Sequence, residues 1–334
     1  MIITRSPFRV SFFGGGSDMA AFYRRRTGAV LSTTIDRYMY LSLHPYFDGK
    51  SIHVKYSSSE LAASVSELRH PIVRRVLERL KVAGGVEITS TADVPAGTGL
   101  GSSSAFTVGL LNVLYAHLDR AAGVEKLARE ACQVEIEDLQ TPIGKQDQYA
   151  SAYGGLNLIR FFPDDSVDVT PLVISQGCRK ELQASLLMFY TGEQRAAASV
   201  LAEQKQVIDS DEEKFAVMTR MVEQAYQAKA LLEAGDVVSF GRLLDEAWQL
   251  KRTLTTRIST ASIDALYNAA MEAGAWGGKL LGAGGGGFLL VAAPVERHAA
   301  VRAACAGLLE LPLHLERGGS KVVYMSEEQD ARTR

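Results

Sequence analysis

The sequence predicts an α+β fold in two parts, on three observations. Strand-like stretches rich in β-branched and aromatic residues alternate with helical apolar stripes in both halves, which argues against a helix bundle. Near residue 180 the texture changes from mixed strand and helix to long helical patterns. The 334 residues, 47% hydrophobic and 22% charged, suffice for one large or two medium domains and rule out wholesale disorder. The expected division is 1–180 and 181–334, with no Pro/Ser-rich linker to mark it.

In order, strands are expected over 8–13, 38–43 and 85–91, the last because Val86, Ile88 and two threonines suit a half-buried strand. Val73, Val76, Leu77 and Leu80 form one stripe of a helix over 66–81, and Phe106, Leu110, Val113 and Leu114 one over 103–118. A third helix over 124–137 carries Leu127, Ala131 and Val134, before strands over 156–162 and 167–174. A strand over 186–190 then leads into helices over 196–208, 213–233, 237–250 and 263–273. A strand-turn-strand unit over 276–292, a helix over 295–309 and a strand over 321–325 close the chain.

Charge and composition narrow the function. Lys plus Arg is 36 against 38 Asp plus Glu, so the basic excess of a nucleic-acid binder is missing. Cys132, Cys178 and Cys305 have no zinc or disulfide spacing, which fits a reducing cytoplasm. Arg5 and Arg9 interrupt the apolar N-terminus, and the uncharged run 280–295 is too short to span a membrane. A cytoplasmic protein with neither nucleic-acid nor membrane partner is expected; a homodimer stays open.

The strongest local signal is PAGTGLGSSSA, residues 95–105, between a strand and a helix. Alternating Gly97, Gly99 and Gly101 let successive N–H groups turn inward, and the following helix start adds free donors, a combination suited to a polyphosphate. A serine here can cap the helix or give its hydroxyl to a divalent cation. A plain glycine turn capped by Ser102 or Ser103 is the simpler alternative. No Lys follows the last glycine, so this is not a Walker loop, and GxGxG is not the GxGxxG of dinucleotide folds.

PAGTGLGSSSA resembles the second motif of the GHMP kinase superfamily, P-x-x-x-G-L-G-S-S-A, departing only by the extra Ser104. SPFRVSFFGGGSD (6–18) resembles its first motif and GGKLLGAGGGGFLL (277–290) its third. The resemblance implies a ribosomal protein S5 domain 2-like N-terminal domain and a ferredoxin-like C-terminal one, with ATP and a sugar meeting between them. It implies ATP binding by Pro95, Gly97, Gly99, Leu100, Gly101, Ser102, Ser103 and Ser104. The S5-like fold also hints at RNA, but the acidic balance opposes it.

A kinase must orient the acceptor hydroxyl, accept its proton and neutralise phosphate charge. The segment 132–155 offers Glu135, Glu137, Asp138 and Asp147; the helix-end carboxylates alone would pass for solvated charges. In galactokinases the catalytic Asp lies in G-x-x-D-Q, matched by Gly144, Asp147 and Gln148. The family's magnesium-binding Glu stands seven residues before the loop proline, as Glu135 does before Pro142. Its Arg–Asp pair, nine apart, matches Arg9 and Asp18. The implied roles are Asp147 as base or orienter, Arg9 with Lys145 as electrostatic partners, Glu135 with Ser103 as Mg2+ ligands, and Asp18 on sugar hydroxyls.

Galactokinases carry Glu-His where this chain has Gly15 and Gly16, which argues against galactose and suggests room for a larger sugar. Overall the chain resembles the D-glycero-α-D-manno-heptose 7-phosphate kinase branch, which phosphorylates the anomeric hydroxyl on the way to GDP-heptose. L-fucose kinases and catalytically inactive sugar sensors are the alternatives. For the distal phosphate of such a sugar phosphate the candidate cations are Arg24–Arg26, Arg195, Lys251 and Arg252, with Lys251 favoured. The third-motif glycines, Gly284 and Gly285 among them, are expected to bring backbone close to the ATP loop. The six histidines, outside every motif, are expected to be structural, and Trp248 and Trp276 to be packing residues.

Overall fold

The computed structural model describes residues 1–192 and 197–326. Strand β1 (Ile2–Phe13) lies antiparallel to β2 (Gly28–Pro45), whose 18 residues serve several neighbours, and the four-residue α1 (Ala20–Tyr23) joins them. β3 (Ile52–Lys55) and β4 (Ser59–Ala62) form a hairpin. β5 (Val86–Ala92) is antiparallel to the second half of β2 and parallel to β3. The first half of β2 carries β6 (Leu156–Phe161), itself paired with β7 (Val167–Pro171).

Over this sheet lie α2 (Pro71–Leu80), α3 (Ser102–His117), α4 (Val124–Cys132) and α5 (Gln146–Tyr153). α3 is apolar nearly all round and accordingly is the most buried of them. α2 starts at residue 71, not 66, because Pro71 occupies its first turn and the His70 side chain caps it by accepting from Val73 N–H. The expected helix over 124–137 is α-helical only to Cys132 and continues as a π-helical turn, Gln133–Asp138, in which Val134 and Glu135 are both buried.

The second unit comprises α6 (Gln176–Ser185), β8 (Leu186–Tyr190), α7 (Ala197–Ser210), α8 (Glu212–Ala234), α9 (Val237–Arg252), α10 (Ala261–Glu272), β9 (Gly277–Leu280), β10 (Phe288–Ala292), α11 (His298–Ala304) and β11 (Leu309–Glu310). Its antiparallel sheet has the order β11-β8-β10-β9. The expected helix over 295–309 shortens because Gly307, at φ 91°, turns the chain into β11. The last strands, β12 (Leu315–Glu316) and β13 (Lys321–Met325), return to the first sheet and pair with β2 and β1. Residues 315–325 therefore do not belong with 181–310, against the expected assignment to 181–334. β13 covers the β1 edge that would otherwise be bare.

The two units meet where Phe12 and Phe13 at the end of β1 set ring edges against Phe240 of α9, both at 5.3 Å. Trp248, wholly buried, packs beside Tyr267 as expected of a core residue. No helix of the described residues is long and apolar enough to cross a membrane.

Candidate active site

Between β5 and α3 the glycine loop adopts the conformation its composition demands. Gly97, Gly99 and Gly101 have φ of 78°, 84° and 76°, left-handed values costly for any residue with a Cβ. Gly101, not a serine, is the cap of α3. Among the described residues, no protein group accepts from the amides of Gly97 to Ser104. That run of free N–H groups at a helix start is a ready cradle for anionic oxygens. Leu100 is buried, its carbonyl accepting from Arg9 N–H at 3.0 Å, so it anchors the loop to β1.

The third-motif glycines brace this loop. A Cβ on Gly99 would stand 2.6 Å from Leu281 O, one on Gly282 2.6 Å from Gly99 Cα, and one on Gly287 2.4 Å from Thr98 O. Such backbone-to-backbone approach is possible only without side chains. Gly284 and Gly285, expected beside the ATP loop, pack instead on Ile258, and the Gly285 amide donates to Ile258 O.

Arg9 of β1 and Asp147 of α5 form a two-pronged ion pair beside Gly101, Nε to Oδ1 at 2.7 Å and Nη2 to Oδ2 at 2.8 Å. The remaining Arg9 nitrogen, Nη1, donates to Gly99 O at 2.6 Å, so one guanidinium ties loop and carboxylate together. A Cβ on Gly101 would lie 3.2 Å from Asp147 Oδ2.

Glu135 on the π-turn points under the start of α3, where Ser103 Oγ donates to Oε1 at 2.8 Å and Gln148 Nε2 to Oε2 at 2.7 Å. Burial pushes its acidity down, raising its pKa, with the Asp147 charge adding to the effect. A buried carboxylate with only neutral hydrogen-bond donors, a second carboxylate nearby and a hydroxyl alongside fits a divalent cation. Ser104 also bonds Glu135.

On the far side of Asp147 a cavity of about 570 Å³, open mouth included, runs between the units. Asp18 lines it, accepting from Gly16 N, Gln146 N and Gln146 Nε2 at 2.9–3.1 Å, its pKa raised by burial. Gly144 must be glycine because a Cβ would fall 1.9 Å from Asp18 Oδ2. Lys251 of α9 enters the cavity, donating to Gly282 O at 2.7 Å. Lys279 of β9, which the sequence reading passed over as part of a glycine motif, lies alongside and donates to Ser11 O and Phe12 O. Burial lowers the pKa of both lysines, that of Lys251 to about 8, and neighbouring cations add to it. Among the described residues neither forms an ion pair with a carboxylate.

Other expected residues fall outside this constellation. Lys145 pairs with Asp165 at 3.0 Å and lies over the Tyr23 ring, lining an adjoining cavity and not the one shared by Arg9 and Asp147. Arg24, Arg25, Arg26 and Arg252 all pair with acidic side chains outside the site. Arg195 lies outside the described residues. Gly15 and Gly16 do line the cavity, but the space at Gly16 is filled: a Cβ there would meet Gln204 Nε2 at 2.3 Å and Met218 Cε at 2.9 Å.

Across the glycine loop a second, more apolar cavity of about 1340 Å³, open mouth included, is lined by Tyr56, His70, Val94, Pro95, Gly97, Ser102, Ser103 and Phe106. His70 stacks on Phe106 at 5.0 Å with Tyr56 edge-on to it. Only its N-cap position before Pro71 could have singled out this histidine from sequence.

Known proteins with the same features are kinases. Residues 67–155 match the GHMP kinases N terminal domain and 228–308 the GHMP kinases C terminal domain. The chain is 30% identical over 301 residues to the D-glycero-alpha-D-manno-heptose 7-phosphate kinase of Campylobacter jejuni, covering 86% of this chain and 88% of that one. It is 29% identical over 313 residues to the bifunctional fucokinase/GDP-fucose pyrophosphorylase of Arabidopsis thaliana, 86% of this chain but 29% of that protein. The crystal structure of a D-glycero-D-manno-heptose 1-phosphate kinase from Bacteroides thetaiotaomicron superposes with a TM-score of 0.81 at 26% identity, covering 98% of this chain and 100% of that one. This chain belongs to the GHMP kinases, and is an ATP-dependent phosphotransferase acting on an alcohol group.

Proposed function

We propose that this sugar kinase phosphorylates the anomeric hydroxyl of D-glycero-α-D-manno-heptose 7-phosphate, giving the 1,7-bisphosphate as a step towards GDP-heptose. The observation that carries the choice of a phosphorylated acceptor is the pair Lys251 and Lys279. Two buried lysine amino groups held only by carbonyls are expensive to keep charged, and an anionic ligand in the same cavity offsets that cost. The likeness to the Campylobacter heptose kinase supports the same sugar. The Bacteroides structure is of a heptose 1-phosphate kinase, so the place of the phosphate here rests on Lys251 and Lys279.

ATP lies with its base in the His70–Phe106 cavity and its phosphates over the free amides of Gly97 to Ser104. Ser103 and Glu135 would hold Mg2+, which would draw charge from the phosphate oxygens. The acceptor oxygen, in the cavity between Asp18 and Lys251, attacks the γ-phosphorus in line. The bond from phosphorus to the bridging oxygen breaks, and its electron pair leaves with ADP. Asp147 orients the hydroxyl and takes its proton on an oxygen lone pair that Arg9 leaves free. Arg9 holds Asp147 in place through both of its oxygens, and Asp18 accepts from a hydroxyl of the acceptor. The Arg9–Asp147 pair and Glu135 are the groups an inactive sensor would have no reason to keep.

The test compares heptose 7-phosphate, unphosphorylated heptose and L-fucose as acceptors, with wild type and Lys251→Met. Wild type should prefer heptose 7-phosphate by 10²-fold or so in kcat/KM, a preference Lys251→Met removes, since a charged hydrogen bond contributes about 1.5–3 kcal/mol. Equal loss on heptose and its 7-phosphate would show that Lys251 does not read that phosphate. Turnover of fucose alone would make the chain a fucose kinase, and turnover of nothing a sensor.

A further inference from the structure

Among the described residues, three buried side-chain polar atoms without a hydrogen-bond partner line the one acceptor cavity: Ser11 Oγ, Gln146 Oε1 and Gln204 Nε2. They come from three distant parts of the chain, β1, α5 and α7, and converge on Gly15 and Gly16. The missing Cβ of Gly15 would lie 3.4 Å from Ser11 Oγ and 3.9 Å from Gln146 Oε1, and that of Gly16 2.3 Å from Gln204 Nε2. Gln204 is 1% exposed and Ser11 6%. Unpaired polar atoms this deep are costly, and three that face one cavity are the arrangement a polar ligand would satisfy.

We propose that Ser11, Gln146 and Gln204 form a reader of acceptor hydroxyls, assembled where the two glycines leave room, and that it selects a polyol over its deoxy analogues. The three atoms are complementary in kind. Gln204 Nε2 can only donate, Gln146 Oε1 can only accept, and Ser11 Oγ can do both. A hydroxyl is the group that satisfies a donor and an acceptor at once, and adjacent hydroxyls of a sugar satisfy all three. The amide of Gln146 is fixed in sense by its own Nε2, which donates to Asp18 at 3.0 Å. Asp18 and the reader therefore act on neighbouring parts of one acceptor. Gly16 serves a different purpose from a wider pocket: its φ of 104° and its bare Cα admit the Gln204 amide. The inference rests on the sugar-kinase reading, but not on which sugar is accepted.

The experiment uses the full chain, with kcat and KM measured for the accepted sugar and its series of monodeoxy analogues. A site built to bond a hydroxyl rejects the analogue lacking it steeply. At least one deoxy position away from the reacting carbon should thus cost wild type about 10²-fold in kcat/KM. Gln204→Leu should raise the KM of the parent sugar roughly tenfold, leave the KM for ATP in place, and shrink that deoxy penalty to about threefold or less. Deoxy penalties that stay the same in Gln204→Leu, or a KM for ATP that rises in step, would overturn the proposal. Should Gln204→Leu fail to fold, the wild-type series and Gln146→Met decide, and a wild type indifferent to every non-reacting hydroxyl overturns it. Turnover of fucose or galactose in place of heptose 7-phosphate overturns the proposed substrate alone, with the reader then tested on that sugar. Turnover of no sugar overturns both.

Discussion

The two ends of the proposed site are built by different means. The nucleotide end is one contiguous loop whose backbone amides face outward, closed below by Ser103 and Glu135. The acceptor end is a set of side chains, Asp18, Gln146, Gln204, Lys251 and Lys279, brought from the turn after β1 as far as β9 across both units. Backbone amides bind any polyphosphate alike, so that end suits a substrate common to every kinase of the family. Side chains on separate elements can each change independently, so the acceptor end is where selectivity is free to vary. Arg9 and Asp147 stand at the seam. Among the described residues they are the one cation–carboxylate pair in the cavity, while the lysines beyond them bond carbonyls.

The sharpest break of that comparison is at the seam. Asp147→Asn keeps the shape but removes the charge that Arg9 grips and the site for the proton. kcat should fall by roughly 10³-fold or more, with the KM for ATP little changed. A variant within tenfold of wild type in steady-state assays would show that Asp147 does no chemistry.

At the acceptor end the prediction concerns pH. Lys251 is charged below a pKa of about 8 and neutral above it. The kcat/KM for the phosphorylated acceptor should hold level below that value and decline as pH rises through it. Lys251→Arg, which stays charged, should carry the decline to higher pH. A pH profile identical in wild type and Lys251→Arg would separate Lys251 from the acceptor anion.

The smallest effect tests the bracing of the loop. Gly97 and Gly99 share nearly the same φ, yet a Cβ on Gly97 would meet nothing within 4 Å and one on Gly99 would strike Leu281 O at 2.6 Å. Gly97→Ala should cost about 1 kcal/mol from backbone strain alone, and Gly99→Ala some 2 kcal/mol more. Equal melting temperatures for the two variants would mean that the third-motif glycines do not press on the loop.

Much of the nucleotide end could be read directly along the chain, because its chemistry is local: glycines at alternate positions, a helix behind them and a carboxylate at a fixed distance. The resemblance to the family singles out Glu135, seven residues before Pro142, but nothing in the sequence shows the π-turn that buries it beside Val134. Lys145 was misplaced because adjacency to Asp147 in sequence says nothing of direction; it turns to Asp165. Gly284 and Gly285 were read with the right motif but the wrong neighbours, Gly282 and Gly287 being the ones that touch the loop.

By itself the sequence determined the α+β class, the three motifs and the conformation of the glycine loop, since turn chemistry and helical periodicity act over a few residues. Only the tertiary structure decided that β13 closes the edge of β1, that Lys279 shares a cavity with Lys251, and that Gln204 fills the space at Gly16. Those contacts join residues many tens to hundreds of positions apart. Their partners are selected by the packing of two sheets and their helices, a property of the folded whole that no local pattern encodes.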